Sequence, residues 1–212
     1  RVSMVVLDEA VRRVLRVKFR LGLFERPYVD ESLAARVRKD SDGPARALAR
    51  EAVQKSVVLL KNEKGILPLA KSLQKVVLIG PFGADTNELN GCWAMHGQPV
   101  MVTLADAIRA ALPSGTAFEF VKGCAVRESS EAKSLNDGTI SLGSGPAVTA
   151  AEIDRAVATA KSADVVVMAL GEPAGWTGEN ASRHTLGLTG RQQELFEAVV
   201  KAGKPVVAVI FS

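Results

Sequence analysis

The sequence predicts an α/β fold, an αβα sandwich with a mostly parallel sheet that is preceded by a helix and a linker. Short β-branched apolar runs alternate with segments of helical periodicity from about residue 57 onward. The runs are apolar at successive positions, which is typical of strands buried on both faces of a parallel sheet. With 212 residues, 47% of them hydrophobic and 24% charged, the chain is long and apolar enough to bury a core.

The part of the chain before the sandwich is predicted to be helical with one interruption. Apolar residues recur at helical spacing over 4–21, which predicts an amphipathic helix that ends near Gly22. Residues 22–43 are rich in Pro, Gly and charge, and we expect a linker there with a short helical turn near 31–37. Pro44 then begins a second helix, because proline suits the first helical turn.

The sandwich itself is predicted from alternating strands and helices. The strands are expected at 75–80, 117–121, 164–170 and 205–211. The helices between them are expected at 103–112, 149–163 and 189–202. Thr149 followed by Glu152 is a capping-box signature for the second of these helices. Right-handed crossovers between parallel strands place helices on both faces of the sheet.

Composition argues against a nucleic-acid partner and a membrane span. The formal net charge is +4 and the pI is about 9.2. Much of the excess lies in the first twenty residues, between apolar positions, which indicates a solvated helix face. Aromatic residues make up only 5%, too few to favour stacking on nucleic-acid bases. The sequence has no apolar run of about 18 residues, so we expect no membrane-spanning helix.

Metal and cofactor motifs are weak. Cys92 and Cys124 form neither a CxxC pair nor a disulfide framework, and whether they pair with each other stays open. His96 and His184 stand alone, without the spacing of a metal site. The Gly-Pro-Phe-Gly run at 80–83 lacks GxGxxG spacing, and its proline removes a backbone N–H that phosphate would need. We therefore expect neither a metal nor a cofactor.

Two long loops follow predicted strands of the sheet. In open α/β sheets, ligands bind beyond the carboxyl ends of the strands, which is where the loops after 75–80 and 164–170 begin. The second loop reads GEPAGWTGENASRHTLGLTGRQ, and in it Glu172 and Glu179 flank Trp176. A carboxyl group beside an aromatic side chain holds its proton at higher pH and can act as a general acid.

The same loop carries side chains that suit a sugar. Trp176 offers a flat apolar surface to a sugar ring, Glu side chains and Asn180 can bind its hydroxyl groups, and Arg183 can orient it. From the residues alone, the loop is either such a site or a plain solvated loop. Glu172 and Glu179 both remain candidates for the acid at this point.

Six stretches of the chain resemble a known family in order and spacing. They read LDEAVRRVLRVKFRLGLFERPY, LAREAVQKSVVLLKNEKGILPL, KVVLIGPFGADTNELNGCW, SADVVVMALGE, GENASRHTLGLTGRQQELFEAVV and GKPVVAVIFS. Together they resemble the later part of glycoside hydrolase family 3 enzymes of the bacterial β-glucosidase type. The resemblance covers nearly the whole chain and is poorly marked only at about 123–148.

The resemblance implies a domain organisation. In this family a (β/α)8-type barrel precedes an αβα sandwich. Residues 1–24 would then be the last helix of the barrel domain, 25–44 the linker, and 45–212 the sandwich, with both domains truncated. The missing barrel domain of the same polypeptide would be the partner of this chain, and the sandwich would continue past Ser212.

The resemblance also implies catalytic positions. Family members retain anomeric configuration by using an Asp nucleophile from the barrel and an acid/base Glu from the sandwich. The nearest match to the Ser-Asp-Trp-like nucleophile motif is Ser-Asp-Gly at 41–43, which lies in the linker and lacks the aromatic residue. The nucleophile is therefore expected outside this chain.

The acid/base motif Glu-x-x-Ser-Arg maps onto 179–183. Glu179 becomes the expected general acid/base, while Glu172 of the Gly-Glu motif supports the loop. Trp176, Arg183 and Glu172 are the expected substrate-binding residues.

These inferences lead to an expected function. The chain would be part of a retaining β-glucosidase that removes terminal non-reducing β-D-glucosyl residues, would be inactive alone, and would act in the periplasm or after secretion. The alternative is a stand-alone α/β sugar-binding or structural module. The apolar face of the N-terminal helix argues against that alternative, because it needs a cover. In the isolated chain we also expect the loop at 173–183 to be mobile.

Overall fold

A computed structural model describes residues 2–86, 88, 91, 102–126, 149–174 and 184–212, with backbone alone at 38–42. The chain divides into two compact units, Arg1–Lys61 and Asn62–Ser212. Each unit has its own secondary structure, and the parallel sheet lies in the second.

The first unit is helical. Its elements are α1 (Met4–Arg20), α2 (Ser32–Asp40), a short π-helical segment (Ser41–Ala45) and α3 (Arg46–Ser56). Helix α1 begins where the Ser3 hydroxyl accepts a hydrogen bond from Val6 N at 3.4 Å. It ends before Gly22, whose φ of 66° allows the chain to leave the helix, as the sequence predicts.

The region between α1 and α3 contains more helix than predicted. A single turn was expected near 31–37, and the structure instead has helix from Ser32 to Asp40. Pro44 was expected in the first turn of the next helix, but it lies in the π-helical segment, and α3 begins at Arg46. Proline has no N–H to donate to a carbonyl of the preceding turn, so regular α-helical pairing is interrupted at this position.

Helix α1 presents an exposed apolar face. Val6, Val14 and Val17, which share that face, are 60%, 57% and 55% exposed. A stripe of this kind on an amphipathic helix is normally covered by a packing partner.

Within the described residues of the second unit, four parallel strands form one sheet in the order β2-β1-β3-β4. The strands are β1 (Lys75–Ile79), β2 (Ala117–Val121), β3 (Val165–Gly171) and β4 (Val206–Phe211). All of β3 is buried, as is β1 from Val76 onward. The prediction of a parallel sheet is therefore confirmed, and burial on both faces holds for β1 and β3, whereas β2 and β4 also contain exposed positions.

Helices pack on both faces of this sheet, as predicted. They are α4 (Leu104–Ala111), α5 (Ala150–Lys161) and α6 (Gln192–Val200). Ile153 of α5 and Leu195 of α6 belong to the apolar core on one face. Ala105 of α4 belongs to the core on the opposite face, together with Phe82 and the partly buried Ile66.

The helix starts agree with the sequence at α5 and differ at α6. Glu152 Oε2 accepts a hydrogen bond from Thr149 N at 3.1 Å, which completes the predicted capping box. Helix α6 was expected from Thr189 but begins at Gln192. The Thr189 hydroxyl donates to Val126 O at 2.5 Å, so its side chain serves a tertiary contact instead of capping the helix.

Candidate active site

The strand order creates a crevice between β1 and β3. From β1 the chain crosses to β2 on one side, and from β2 it returns past β1 to β3 on the other. Helix α4, which follows β1, and helix α6, which follows β3, pack on opposite faces of the sheet, so the chain leaves the adjacent carboxyl ends of β1 and β3 toward opposite faces. Such a topological switch point is where open α/β sheets bind ligands.

Glycines fix the backbone at both strand ends. Gly80 follows β1 with φ 131°, and Gly171 closes β3 with φ 154°. A Cβ atom would lie 2.1 Å from Ala169 O at Gly80 and 2.1 Å from Phe211 O at Gly171. Both loops therefore start from backbone that lies too close to the neighbouring strand for any side chain.

The loop after β1 begins with a buried aromatic anchor. The Phe82 ring stacks on the Phe211 ring, with centroids 5.6 Å apart, and its side chain has no exposed surface. Gly83 O accepts a hydrogen bond from Ala105 N at 2.8 Å, which ties this turn to the start of α4. The first turn of this loop is therefore part of the core.

Gln192 holds the end of β3. Its Oε1 accepts from Gly171 N and its Nε2 donates to Gly171 O, both at 2.9 Å, and Nε2 also lies 2.7 Å from the Thr189 hydroxyl. The side chain is fully buried. The sequence reasoning did not single it out, although Gln192 shares a helical stripe with Leu195 and Val199, where a core residue is expected.

Glu172 comes directly after β3, as the sequence predicts, and is partly buried. Its N–H donates to Phe211 O at 2.9 Å, so the backbone is still paired with β4 at this position. The other candidates, Trp176, Glu179 and Arg183, lie outside the described residues, as does most of the loop at 173–183. Of the predicted site residues, the structure thus places Glu172.

Glu88 joins the two loops. Its Oε2 accepts a hydrogen bond from Ala174 N at 2.7 Å, across 86 positions of sequence. Its own N–H donates to Asp85 Oδ1 at 2.6 Å. The sequence reasoning missed Glu88, because a contact between residues so far apart leaves no local pattern.

The residues weighed for metal or thiol chemistry do not assemble into a described site. Cys124 is buried and His184 exposed, while Cys92 and His96 lie outside the described residues. In the described ranges no group of three or more His, Cys, Asp or Glu side chains could hold a metal ion. Over the same ranges, no helix combines the length and apolar character needed to span a membrane.

A doubly wound α/β domain whose two loop stems meet at the switch point has the architecture in which open α/β sheets bind ligands. Residues 57–212 match the glycosyl hydrolase family 3 C-terminal domain. The chain belongs to glycosyl hydrolase family 3.

Named relatives agree with this family. The chain is 33% identical to a periplasmic beta-glucosidase of Salmonella typhimurium over 100% of its own length and 28% of that protein. It is 28% identical to a beta-xylosidase of Formosa agariphila, over 97% of the chain and 26% of that protein. The chain thus spans about a quarter of the length of these curated relatives.

Solved structures show the same likeness. A beta-glucosidase from Listeria innocua, in complex with isofagomine, is 31% identical with a TM-score of 0.80, over 100% of this chain and 26% of that one. The α/β fold inferred from the sequence is that of the family.

Proposed function

We propose that the chain is part of a retaining β-glucosidase that removes terminal non-reducing β-D-glucosyl residues. The observation that carries this proposal is the family match over 57–212, centred on a domain whose two anchored loops meet at the switch point. Further support comes from the Salmonella relative, named a beta-glucosidase, and from the Listeria enzyme, solved with glucose and with isofagomine.

Each candidate residue has a chemical task in this proposal. Glu179 protonates the leaving oxygen and then, as carboxylate, activates water for the second displacement. Trp176 packs against a sugar ring and Arg183 orients hydroxyl groups. Glu172, paired by its backbone with β4, supports the start of the loop and contributes to sugar binding.

The nucleophile is assigned to another part of the same polypeptide. Retaining enzymes need two carboxyl groups about 5–5.5 Å apart, and Ser-Asp-Gly at 41–43 is a poor match to the nucleophile motif. We assign 1–24 to the last helix of a barrel domain, 25–44 to a linker and 45–212 to the sandwich. The exposed apolar face of α1 then packs against the barrel.

This assignment predicts an inactive chain. The 212 residues alone should not hydrolyse an aryl β-glucoside, because one of the two required carboxyl groups is absent. Turnover by the purified chain that disappears in Glu179→Ala would contradict the assignment. A chain that binds glucosides tightly but never hydrolyses them, even when joined to the rest of its polypeptide, would favour a sugar-binding module.

Two finer points follow from the relatives. The name of the Salmonella protein supports a periplasmic location, or secretion, for the protein that contains this chain. Because one relative is named a beta-xylosidase, β-xylosides are the second substrate class. Comparing kcat/KM of the full-length protein for matched aryl β-glucosides and aryl β-xylosides shows which of these two substrate classes it prefers.

The catalytic assignment is tested by chemical rescue in the full-length protein. Glu179→Ala should impair substrates with poor leaving groups most, because good leaving groups need little protonation. The covalent intermediate should accumulate, since its hydrolysis needs the same carboxylate as base. Added azide, a nucleophile that needs no base, should restore turnover of an activated substrate.

Glu172→Ala is the matched control, since it removes a second carboxylate of the same loop. It should show no azide rescue. If azide rescues Glu172→Ala while Glu179→Ala keeps wild-type activity, the acid/base task belongs to Glu172.

A further inference from the structure

We propose that Glu88 is a positioning residue, whose carboxylate clamps the loop after β3 to the loop after β1. The inference rests on the proposed function, because the loop after β3 leads into the segment that carries Glu179. Glu88 acts through the backbone of Ala174 and has no assigned contact with the substrate.

The clamp spans the switch point of the sheet. Glu88 belongs to the loop that leaves β1, and Ala174 to the loop that leaves the adjacent strand β3. The 2.7 Å bond from Ala174 N to Glu88 Oε2 joins these two loops directly. It therefore bridges the crevice that the strand order creates.

The stem of the loop after β3 is held at three successive points. Gln192 binds both the N–H and the C=O of Gly171, and Glu172 N donates to Phe211 O on β4. Ala174, two residues further on, is held by Glu88. The first two contacts come from α6 and β4, so Glu88 supplies the contact from the opposite side.

Glu88 is itself oriented before it binds. Its N–H donates to Asp85 Oδ1 at 2.6 Å, which ties the backbone of Glu88 to Asp85. Asp85 lies three residues after the buried Phe82 anchor, so Glu88 is tied to a part of the loop that starts from the core.

The consequence is a fixed position for the Ala174 backbone, from which the chain continues toward Glu179. Catalysis depends on placing the acid within hydrogen-bonding reach of the leaving oxygen, and a shift of about 1 Å can cost about a hundredfold in rate. Releasing Ala174 should therefore weaken proton transfer more than it weakens substrate binding.

Two conservative variants separate geometry from charge in the full-length protein. Glu88→Gln keeps the reach and an acceptor oxygen but loses the charge. Glu88→Asp keeps the charge but shortens the side chain by one bond, about 1.5 Å. Glu88→Ala removes both. The matched control is Glu119→Asp, which shortens a carboxylate of β2 that pairs with Lys75 at 2.8 Å, away from the crevice.

Two readouts are measured for each variant. The first is kcat and KM for a β-glucoside with a poor leaving group and for one with an activated aryl group. The second is hydrogen exchange at the Ala174 amide, followed by mass spectrometry on peptides that contain it. If Glu88 only stabilised the fold, its variants would change kcat by the same factor for both substrates.

The clamp predicts a specific pattern. Glu88→Gln should remain close to wild type in both readouts. Glu88→Asp and Glu88→Ala should lower kcat for the poor leaving group about tenfold or more, affect the activated substrate less, and speed Ala174 exchange. Glu119→Asp should change neither the leaving-group dependence nor the exchange.

Other patterns overturn the inference. If Glu88→Asp keeps full activity and Glu88→Gln loses it, activity requires the charge of Glu88 and not its reach to Ala174. If Glu88→Ala matches wild type, or lowers kcat equally for both substrates, Glu88 does not position the loop. If Glu88→Ala fails to fold, the comparison of Glu88→Gln with Glu88→Asp still decides whether Glu88 positions the loop.

Failure of the proposed function looks different. A wild-type protein without glycosidase activity, or an unaffected Glu179→Ala, would overturn that function. The exchange of the Ala174 amide in Glu88→Asp and Glu88→Gln would still decide whether the clamp exists.

Discussion

The side-chain amide of Gln192 pairs with the backbone of Gly171, accepting a hydrogen bond from its N–H and donating one to its C=O. Both distances are 2.9 Å, from Gly171 N to Gln192 Oε1 and from Gln192 Nε2 to Gly171 O. The pair joins the first residue of α6 to the last residue of β3. Because both residues are buried, water cannot replace the bonds without opening the core.

Removing this side chain should destabilise the fold. Gln192→Ala leaves the buried N–H and C=O of Gly171 without their partner, and each such group costs about 1–3 kcal/mol. We expect the free energy of unfolding to fall by at least about 2 kcal/mol, measured by urea denaturation. Gln193→Ala, at the next residue along the helix, is the control. It makes the same substitution but removes only an exposed hydrogen bond, from Gln193 to Glu197. Equal losses in the two variants would contradict the prediction.

Gly171 should not tolerate a side chain. In Gly171→Ala the new Cβ would lie 2.1 Å from Phe211 O, at a φ of 154°. Relief requires β3 and β4 to separate, so we expect a loss of at least about 3 kcal/mol in urea denaturation. At Gly187 an added Cβ meets nothing within 4 Å, and Gly187→Ala should stay near wild type. A Gly171→Ala protein as stable as the Gly187→Ala protein would show that the strand end is not so constrained.

Leu195 should be a major source of core stability. It is fully buried between α5, α6 and the sheet, so Leu195→Ala should cost about 2–5 kcal/mol through lost burial and a residual cavity. Leu186→Ala makes the same chemical change at an exposed site and should change stability by less than about 0.5 kcal/mol. Thermal or urea denaturation of the two variants compares them directly, and similar costs would refute the assigned packing.

Asp164 should contribute to the pH dependence of stability. Its pKa lies below the ordinary value of 3.8, because Lys75 N and then Gln74 N donate hydrogen bonds to the carboxylate. A lowered pKa in the folded state stabilises the fold above the unfolded pKa, and this contribution is lost as the pH falls through the folded value. Asp164→Asn should therefore lose stability near neutral pH and approach wild type in acid.

The measurement is the urea midpoint of both proteins from about pH 7 down to about pH 3. The difference between them should shrink at the acid end. A difference that stays constant with pH would mean that the charge of Asp164 does not stabilise the fold.

The sheet could be predicted because its signal is local. Strand β3 is apolar at each position from Val165 to Leu170, which is what burial on both faces requires. The α5 start could be predicted for the same reason, since Thr149 and Glu152 cap each other across three residues. The π turn around Pro44 could not be read in this way, because the sequence fits a first helical turn equally well.

Contacts at the candidate site lie beyond local sequence. The later start of α6 depends on the Thr189 hydroxyl finding Val126 O, 63 positions away. The bond between Glu88 and Ala174 depends on β1 and β3 being neighbours in the sheet. The choice of Glu179 over Glu172 required the family resemblance, because both carboxylates suit the chemistry by residue type.

The strand order has a consequence for biosynthesis. Strand β1 lies inside the sheet, yet its partner β3 follows about 90 residues later in the chain. At a synthesis rate of about 5–20 residues per second, β3 is made about 5–20 s after β1. During that interval the apolar run from Val76 to Ile79 leaves the ribosome with one of its edges still open. An open strand edge pairs readily with other chains, so β1 is exposed to aggregation until β3 has been made.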